Sequence, residues 1–246
     1  MAQETPQGFI DVHAHIAPAS FLKEVEKSQK AFGVQVEETD AGHALTFPGL
    51  PTLRAAGGSL SETVTRREWM QEQGVGSQYL AAWLDIQGYT MPPGKEADWV
   101  RLLNEHMVQT AKDSGPAFQT IAAVPMQDGE RAARELEYAV KTLGMLGVML
   151  PSDPAEIDVA DSSLEPFWAS AEEMDVPVML HGASHSKWPL VGPGFMAFSM
   201  GRTLDTTILA AKLIHSGLLD RHPKLKLMLC HGGGSLPYLI GRVDVA

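Results

Sequence analysis

The chain has 246 residues, 44% of them hydrophobic, a single cysteine and a formal net charge of −11 at pH 7. That length can bury a sizeable core as one domain, and no linker-like stretch divides it. An acidic chain without a basic stripe is a poor partner for nucleic acid or an anionic membrane. One cysteine excludes an internal disulfide framework, and there is neither a signal-peptide pattern nor an apolar run of membrane-spanning length, so a cytoplasmic protein is expected.

The first predicted element is the strand FIDVHAHIAP, residues 9–18. Alternation places Ile10, Val12 and Ala14 on one face and Asp11, His13 and His15 on the other. The apolar face needs no special account, being what a core strand presents. The imidazole face does, because strands of an α/β core read as nearly continuous hydrophobic runs. Two readings compete: satisfied polar groups, or a pair of metal ligands aimed at one point.

After this strand the chain reads as irregular to about residue 60, with VQVEETD and HALTFPG forming a small hairpin. A β-then-α rhythm follows: a helix over 61–73, the strand VGSQYLAAW, a helix over 96–114 and the strand AFQTIAAV. In DGERAARELEYAVKTLG, Asp128 can cap a helix whose apolar stripe is Ala132, Leu136, Ala139, Val140 and Leu143, and Gly144 can end it. The strand LGVML, a helix over 163–174, the strand VPVMLH, a Gly/Pro-rich loop over 182–200, a helix over 205–216 and the strand KLKLMLCH come next, and a further helix starts near Ser235. Such alternation predicts a parallel sheet covered by helices, either doubly wound or a (β/α)₈ barrel.

Three of the six strands carry histidine toward their carboxyl ends: His13 and His15, then His181, then His231. In a parallel barrel those ends lie on one face, where the active site is built. A lone strand-end histidine is ordinarily structural; several together favour a site. Three glycines after His231 let the backbone approach a ligand closely before turning into a helix, and they match neither the dinucleotide nor the Walker spacing. Trp69, Trp83, Trp99 and Trp168 read as packing groups, and His43, His106, His215 and His222 as surface or capping residues. His185 and Trp188 sit in the 182–200 loop, where they are candidates to line a pocket.

IDVHAHI, RREWMQEQGVGSQYL, LLNEHM, AAVPMQDGERAARELEYAVKTLGMLGVML and the block from Asp205 to Arg242 occur in an order that resembles the 2-amino-3-carboxymuconate-6-semialdehyde decarboxylase-like branch of the amidohydrolase superfamily, over almost the whole chain. The resemblance implies a distorted (β/α)₈ barrel with one divalent metal, zinc before manganese, held by His13, His15, His181 and an aspartate near strand 8. It further implies His231 as the acid/base, Arg54 as a carboxylate-binding arginine from its spacing to Arg66, and Arg242 as an arginine lent across a homodimer interface to the partner's substrate.

There are departures from that pattern. His-Gly-Ala stands at 181–183 where the family has His-Pro-Trp, and no segment corresponds to strands 7 and 8. The expectation is therefore one C-terminally incomplete barrel domain of about six β/α units, with a hairpin insertion over residues 20–60 and no counterpart of the aspartate ligand. Asp85 and Asp153 are in-chain carboxylates at the expected face, although each reads first as a turn or helix cap. The implied activity is metal-dependent decarboxylation of an unsaturated or aromatic carboxylic acid. The alternatives are a hydrolase or hydratase of the same superfamily and a barrel that has lost its chemistry.

Overall fold

A computed structural model describes residues 8–152, 157–183, 191 and 194–245. The chain forms two compact units, Met1–Ala123 with Ala139–Leu146, and Val124–Tyr138 with Gly147–Ala246.

The first unit holds β1 (Phe9–Ile16), α1 (Ala19–Lys27), α2 (Gln29–Phe32), β2 (Gln35–Thr39), β3 (Gly42–Thr46), α3 (Val64–Gln73), β4 (Val75–Ala82), α4 (Pro93–Ser114) and β5 (Phe118–Ile121). Its parallel sheet has the order β1-β4-β5, and β2 and β3 pair as an antiparallel ribbon. The stretch expected to be irregular contains α1, which forms because Phe21, Leu22 and Val25 fall on one helical face and are all buried. Likewise, α4 starts at Pro93, three residues before the expected start, because a proline at the first helical position lacks only an amide that has no helical partner anyway. Gly74 ends α3 in the left-handed region at φ 70°.

Trp99 is the centre of this unit's core. Its ring meets Phe21, Phe32 and Phe47 edge-on at centroid distances of 5.0, 5.2 and 5.4 Å, and its indole N–H donates to the Ile86 carbonyl at 2.7 Å. Trp69 is not a packing group, being 48% exposed. The apolar face of β1 is also less covered than a core strand's would be: Ala14 and Ile16 are buried, whereas Ile10 and Val12 are exposed. Among the described residues β1 is an edge strand of its sheet, paired with β4.

α5 (Gly129–Lys141) follows, with Asp128 accepting from the Arg131 amide at 3.0 Å and Ala132, Leu136 and Ala139 fully buried. The second unit then holds β6 (Val148–Pro151), α6 (Glu165–Glu173), β7 (Val178–His181), α7 (Arg202–His215), α8 (Leu218–Arg221), β8 (Leu227–Leu229) and α9 (Leu236–Val243). Its sheet is parallel in the order β6-β7-β8. Every residue of β6 and β7 is buried, as befits strands covered on both faces. The helix that becomes α7 begins earlier than expected, since a π-helical stretch, Ala197–Gly201, runs directly into it.

His222 is a capping residue and not a surface one: it is the C-cap of α8 and is 6% exposed. Its Nε2 lies 2.8 Å from Glu165 and its Nδ1 3.2 Å from Glu172, so it joins α8 to α6. The Arg221 guanidinium holds the Glu165 carboxyl below its ordinary range, and the Lys224 amide does the same for Glu172. No helix among the described residues is long and apolar enough to cross a membrane.

Candidate functional site

In the first unit, His13 and His15 lie in the carboxyl half of β1, half-buried, with their Nε2 atoms 3.3 Å apart and their rings nearly perpendicular at 84°. Two nitrogens bound tetrahedrally at about 2.0–2.1 Å from one zinc ion would stand roughly 3.3 Å apart, so this spacing fits a shared divalent metal. The alternation expected from sequence is interrupted between the two ends of this stretch. Asp11 pairs with Gln78 and Ala14 with Leu80, so three steps along β1 meet two along β4, and the Asp11 carboxylate accepts from the His13 amide at 3.1 Å.

Three further residues of this unit bear on the site. Arg54 is exposed and places its guanidinium carbon 4.6 Å from the centre of the buried Trp83 ring, a cation–π contact that holds the arginine at the end of β4. Asp85 lies in the helical turn Leu84–Ile86 just after β4, with one carboxylate oxygen buried and without a hydrogen-bond partner among the described residues. Arg66 donates to the Ser59 carbonyl at 2.6 Å, to the Gln78 side chain at 3.0 Å and to the His15 carbonyl. Burial lowers the Arg66 guanidinium from its ordinary value, and Asp11 offsets part of that effect.

In the second unit, His181 ends β7 and is fully buried. Its Nδ1 lies 2.6 Å from the Gly182 carbonyl, which can only accept, so the proton sits on Nδ1 and Nε2 is the basic nitrogen. His231 stands two residues beyond β8 and not within it, at φ 53°, opening the run of left-handed residues that Gly232, Gly233 and Gly234 continue. Thr206 donates to the Arg202 carbonyl at 2.9 Å and faces His231 Nδ1 at 3.2 Å. The hydroxyl proton is thereby committed, so His231 donates from Nδ1 and its Nε2 is the basic nitrogen too. The two rings meet edge to face at 4.6 Å.

The glycines flanking these histidines allow close approach. A Cβ on Gly182 would fall 2.3 Å from the Arg202 carbonyl oxygen, and one on Gly234 2.2 Å from that of Thr203. Glycine at 182, where the family resemblance implies proline, thus lets the start of α7 close over the end of β7. Cys230 is buried, and burial alone pushes its thiol up to about 12, which keeps it protonated and non-nucleophilic at neutral pH. Arg242 is exposed on α9. Asp153, His185 and Trp188 lie outside the described residues.

Sequence reasoning did not single out Gln78, Thr206 or Ser152 as supports. Ser152 accepts from the Ala183 amide at 2.8 Å and so ties the end of β6 to the residues after His181. For Gln78 a signal existed: it is a long polar side chain inside the apolar run of β4, and it is 4% exposed.

Comparison with known proteins agrees with this order of strands and helices. The chain is 25% identical over 240 residues to a 2-amino-3-carboxymuconate-6-semialdehyde decarboxylase from Dictyostelium discoideum, covering 96% of this chain and 66% of the relative. It is 34% identical over 163 residues to a gamma-resorcylate decarboxylase from Polaromonas sp., covering 58% of this chain and 47% of the relative. The chain thus spans less than two thirds of the length of these curated relatives. Among solved structures, a dihydroxybenzoic acid decarboxylase from Polaromonas sp. JS666, with bound manganese and the inhibitor 2-nitroresorcinol, superposes with a TM-score of 0.72 at 26% identity, over 96% of this chain and 69% of that one. The fold is accordingly that of the amidohydrolase-type TIM barrels. The Amidohydrolase family profile matches residues 10–245, nearly the whole chain from the first histidine-bearing strand to the last helix, and the protein belongs to that family.

Proposed function

We propose that this chain carries the chemistry of a metal-dependent decarboxylase acting on an unsaturated or aromatic carboxylic acid, with His13, His15 and His181 as ligands of one divalent ion. The observation that carries this reading is the 3.3 Å approach of the His13 and His15 Nε2 atoms. His181 supports it through a tautomer in which Nε2 is the basic nitrogen. Zinc is the first metal to test and manganese the second. The bound ion supplies positive charge that draws electron density from the reacting acid.

Decarboxylation breaks the bond between the carboxyl carbon and the substrate carbon, releases CO₂ and leaves the electron pair on the substrate carbon, which must take up a proton. His231 is the residue for that step. Its Nδ1 proton is engaged by Thr206, so the exchangeable proton is carried on Nε2. Arg54, steadied on Trp83, pairs with a substrate carboxylate, and Arg242 on α9 serves a second copy of the chain in a homodimer. A cytoplasmic setting suits the unpaired Cys230.

The test is CO₂ release from gamma-resorcylate and from 2-amino-3-carboxymuconate-6-semialdehyde by protein loaded with zinc or manganese, alongside metal analysis of the wild type and of His13→Ala. Metal-dependent CO₂ release, with loss of stoichiometric metal in the variant, is expected. Addition of water to the substrate without CO₂ would replace the reading with a hydratase, and metal retained by a triple alanine variant at 13, 15 and 181 would move the site elsewhere.

A further inference from the structure

The irregular register of β1 raises a physical question. A bulge disturbs the ladder and lets the chain swivel, so where a histidine inside it comes to rest depends on the groups that hold the strand there. His13 sits inside this bulge, between Asp11 and Ala14. Its ring nevertheless meets that of His15 at ligand spacing.

A continuous chain of hydrogen bonds runs from one histidine to the other. One Asp11 oxygen accepts from the His13 amide at 3.1 Å, and the other accepts from Gln78 Nε2 at 2.8 Å. Gln78 Oε1 accepts from Arg66 at 3.0 Å, and Arg66 also donates to the His15 carbonyl and to the Ser59 carbonyl. Both ends of the histidine pair are therefore gripped, His13 through its amide and His15 through its carbonyl, by groups joined to one another. The direction of every bond is fixed. Asp11 only accepts and Arg66 only donates, so the Gln78 amide between them has a single permitted orientation.

We propose that Gln78 and Arg66 are positioning residues for metal binding: with Asp11 they clamp the bulge of β1 so that His13 and His15 present their Nε2 atoms to one ion. This rests on the reading of those histidines as metal ligands. Groups that orient ligands in this way change metal affinity by about 10- to 100-fold when removed. Arginine is required at 66 because three carbonyl-type acceptors lie around one planar fork, which a lysine ammonium on a single stem does not match.

The polarity of the chain gives a test by exchange. Gln78→Glu sets a second carboxylate against Asp11 and breaks their bond. Asp11→Asn combined with Gln78→Glu restores it in mirrored form: the asparagine amide donates to the introduced carboxylate, that carboxylate still accepts from Arg66, and the asparagine oxygen still accepts from the His13 amide. The dissociation constants of zinc and cobalt(II) are measured by chelator competition for the wild type, Gln78→Glu, the Asp11→Asn/Gln78→Glu pair, Arg66→Lys and His13→Ala/His15→Ala. The cobalt(II) visible spectrum and far-ultraviolet circular dichroism are recorded for each.

Gln78→Glu and Arg66→Lys are expected to weaken metal binding by about tenfold or more with an altered cobalt spectrum, and the exchanged pair to return within about threefold of the wild type with its spectrum. A structural role alone would not predict recovery of both affinity and spectrum in the pair. Wild-type affinity in folded Gln78→Glu and Arg66→Lys, or an exchanged pair that is folded but no better than Gln78→Glu, would overturn the proposal while leaving the metal site standing. Equal metal binding by the wild type and His13→Ala/His15→Ala would remove the metal reading itself.

Discussion

The two units reach a pair of adjacent imidazoles by different means. In the first, both histidines come from one strand, two residues apart, and the pair depends on a bulge clamped by side chains from β4 and α3. In the second, His181 and His231 come from the ends of neighbouring strands β7 and β8, and each ring is oriented by the hydrogen bond that its own Nδ1 makes, to a backbone carbonyl or to a threonine hydroxyl. A pair built on one strand is visible as a short motif and needs long side chains to set its geometry. A pair built on two strands is spread along the sequence; parallel pairing brings the strand ends together, and each ring's own hydrogen bond orients it.

The largest expected effect separates the units by their cores. Trp99→Ala removes a fully buried indole that three phenylalanine rings contact, together with its bond to Ile86, and should cost about 3–5 kcal/mol by denaturant unfolding. Hydrogen exchange resolved by segment should show faster exchange in β1, β4 and α4 at native conditions. Exchange that rises equally in β6 and β7 would break the comparison by showing a single cooperative block.

A smaller effect sharpens the electrostatic side. Glu165 and Glu172 titrate lower in the folded chain than their ordinary value of 4.5, so the stabilisation they give through Arg221, His222 and the Lys224 amide is full above that value and is lost as pH falls through the lower folded values. Glu172→Gln should therefore lower the thermal midpoint at pH 6, and the gap from the wild type should close as pH falls below 4.5. A gap that stays constant down to pH 3 would show that the carboxylate charge contributes nothing there.

The smallest expected effect is chemical. With its thiol pushed up to about 12, Cys230 carries roughly one part in ten thousand of thiolate at pH 8, so iodoacetamide should modify it at least about a hundredfold more slowly in the native chain than after denaturation. Comparable rates would place Cys230 in a more open setting than the core beside β8.

Much of this was legible in the sequence, and for identifiable reasons. The elements β4, α4, β5, α5, β6 and β7 follow from hydrophobic periodicity, since each buries an apolar face. The His-x-His pair shows through strand alternation, and the family through motifs that run in order along the chain. α1 escaped because a nine-residue helix offers only three buried positions to reveal its period. For His222 the sequence left surface and capping roles open; it caps α8, and the carboxylates its ring meets are contributed by α6, about fifty residues earlier.

The sequence by itself determined which residue types could do chemistry and which strands carry them, because those properties are local: side-chain donors, alternation along a strand, glycine where the backbone turns. Only the tertiary structure decided the register. Whether His13 lies in a regular ladder or a bulge depends on how β1 pairs with β4, and no property of either strand alone contains that offset. The same holds for proton placement. The tautomers of His181 and His231 are set by partners that folding supplies, the Gly182 carbonyl and the Thr206 hydroxyl, because a neutral imidazole has one donor and one acceptor nitrogen and its hydrogen bonds select which is which.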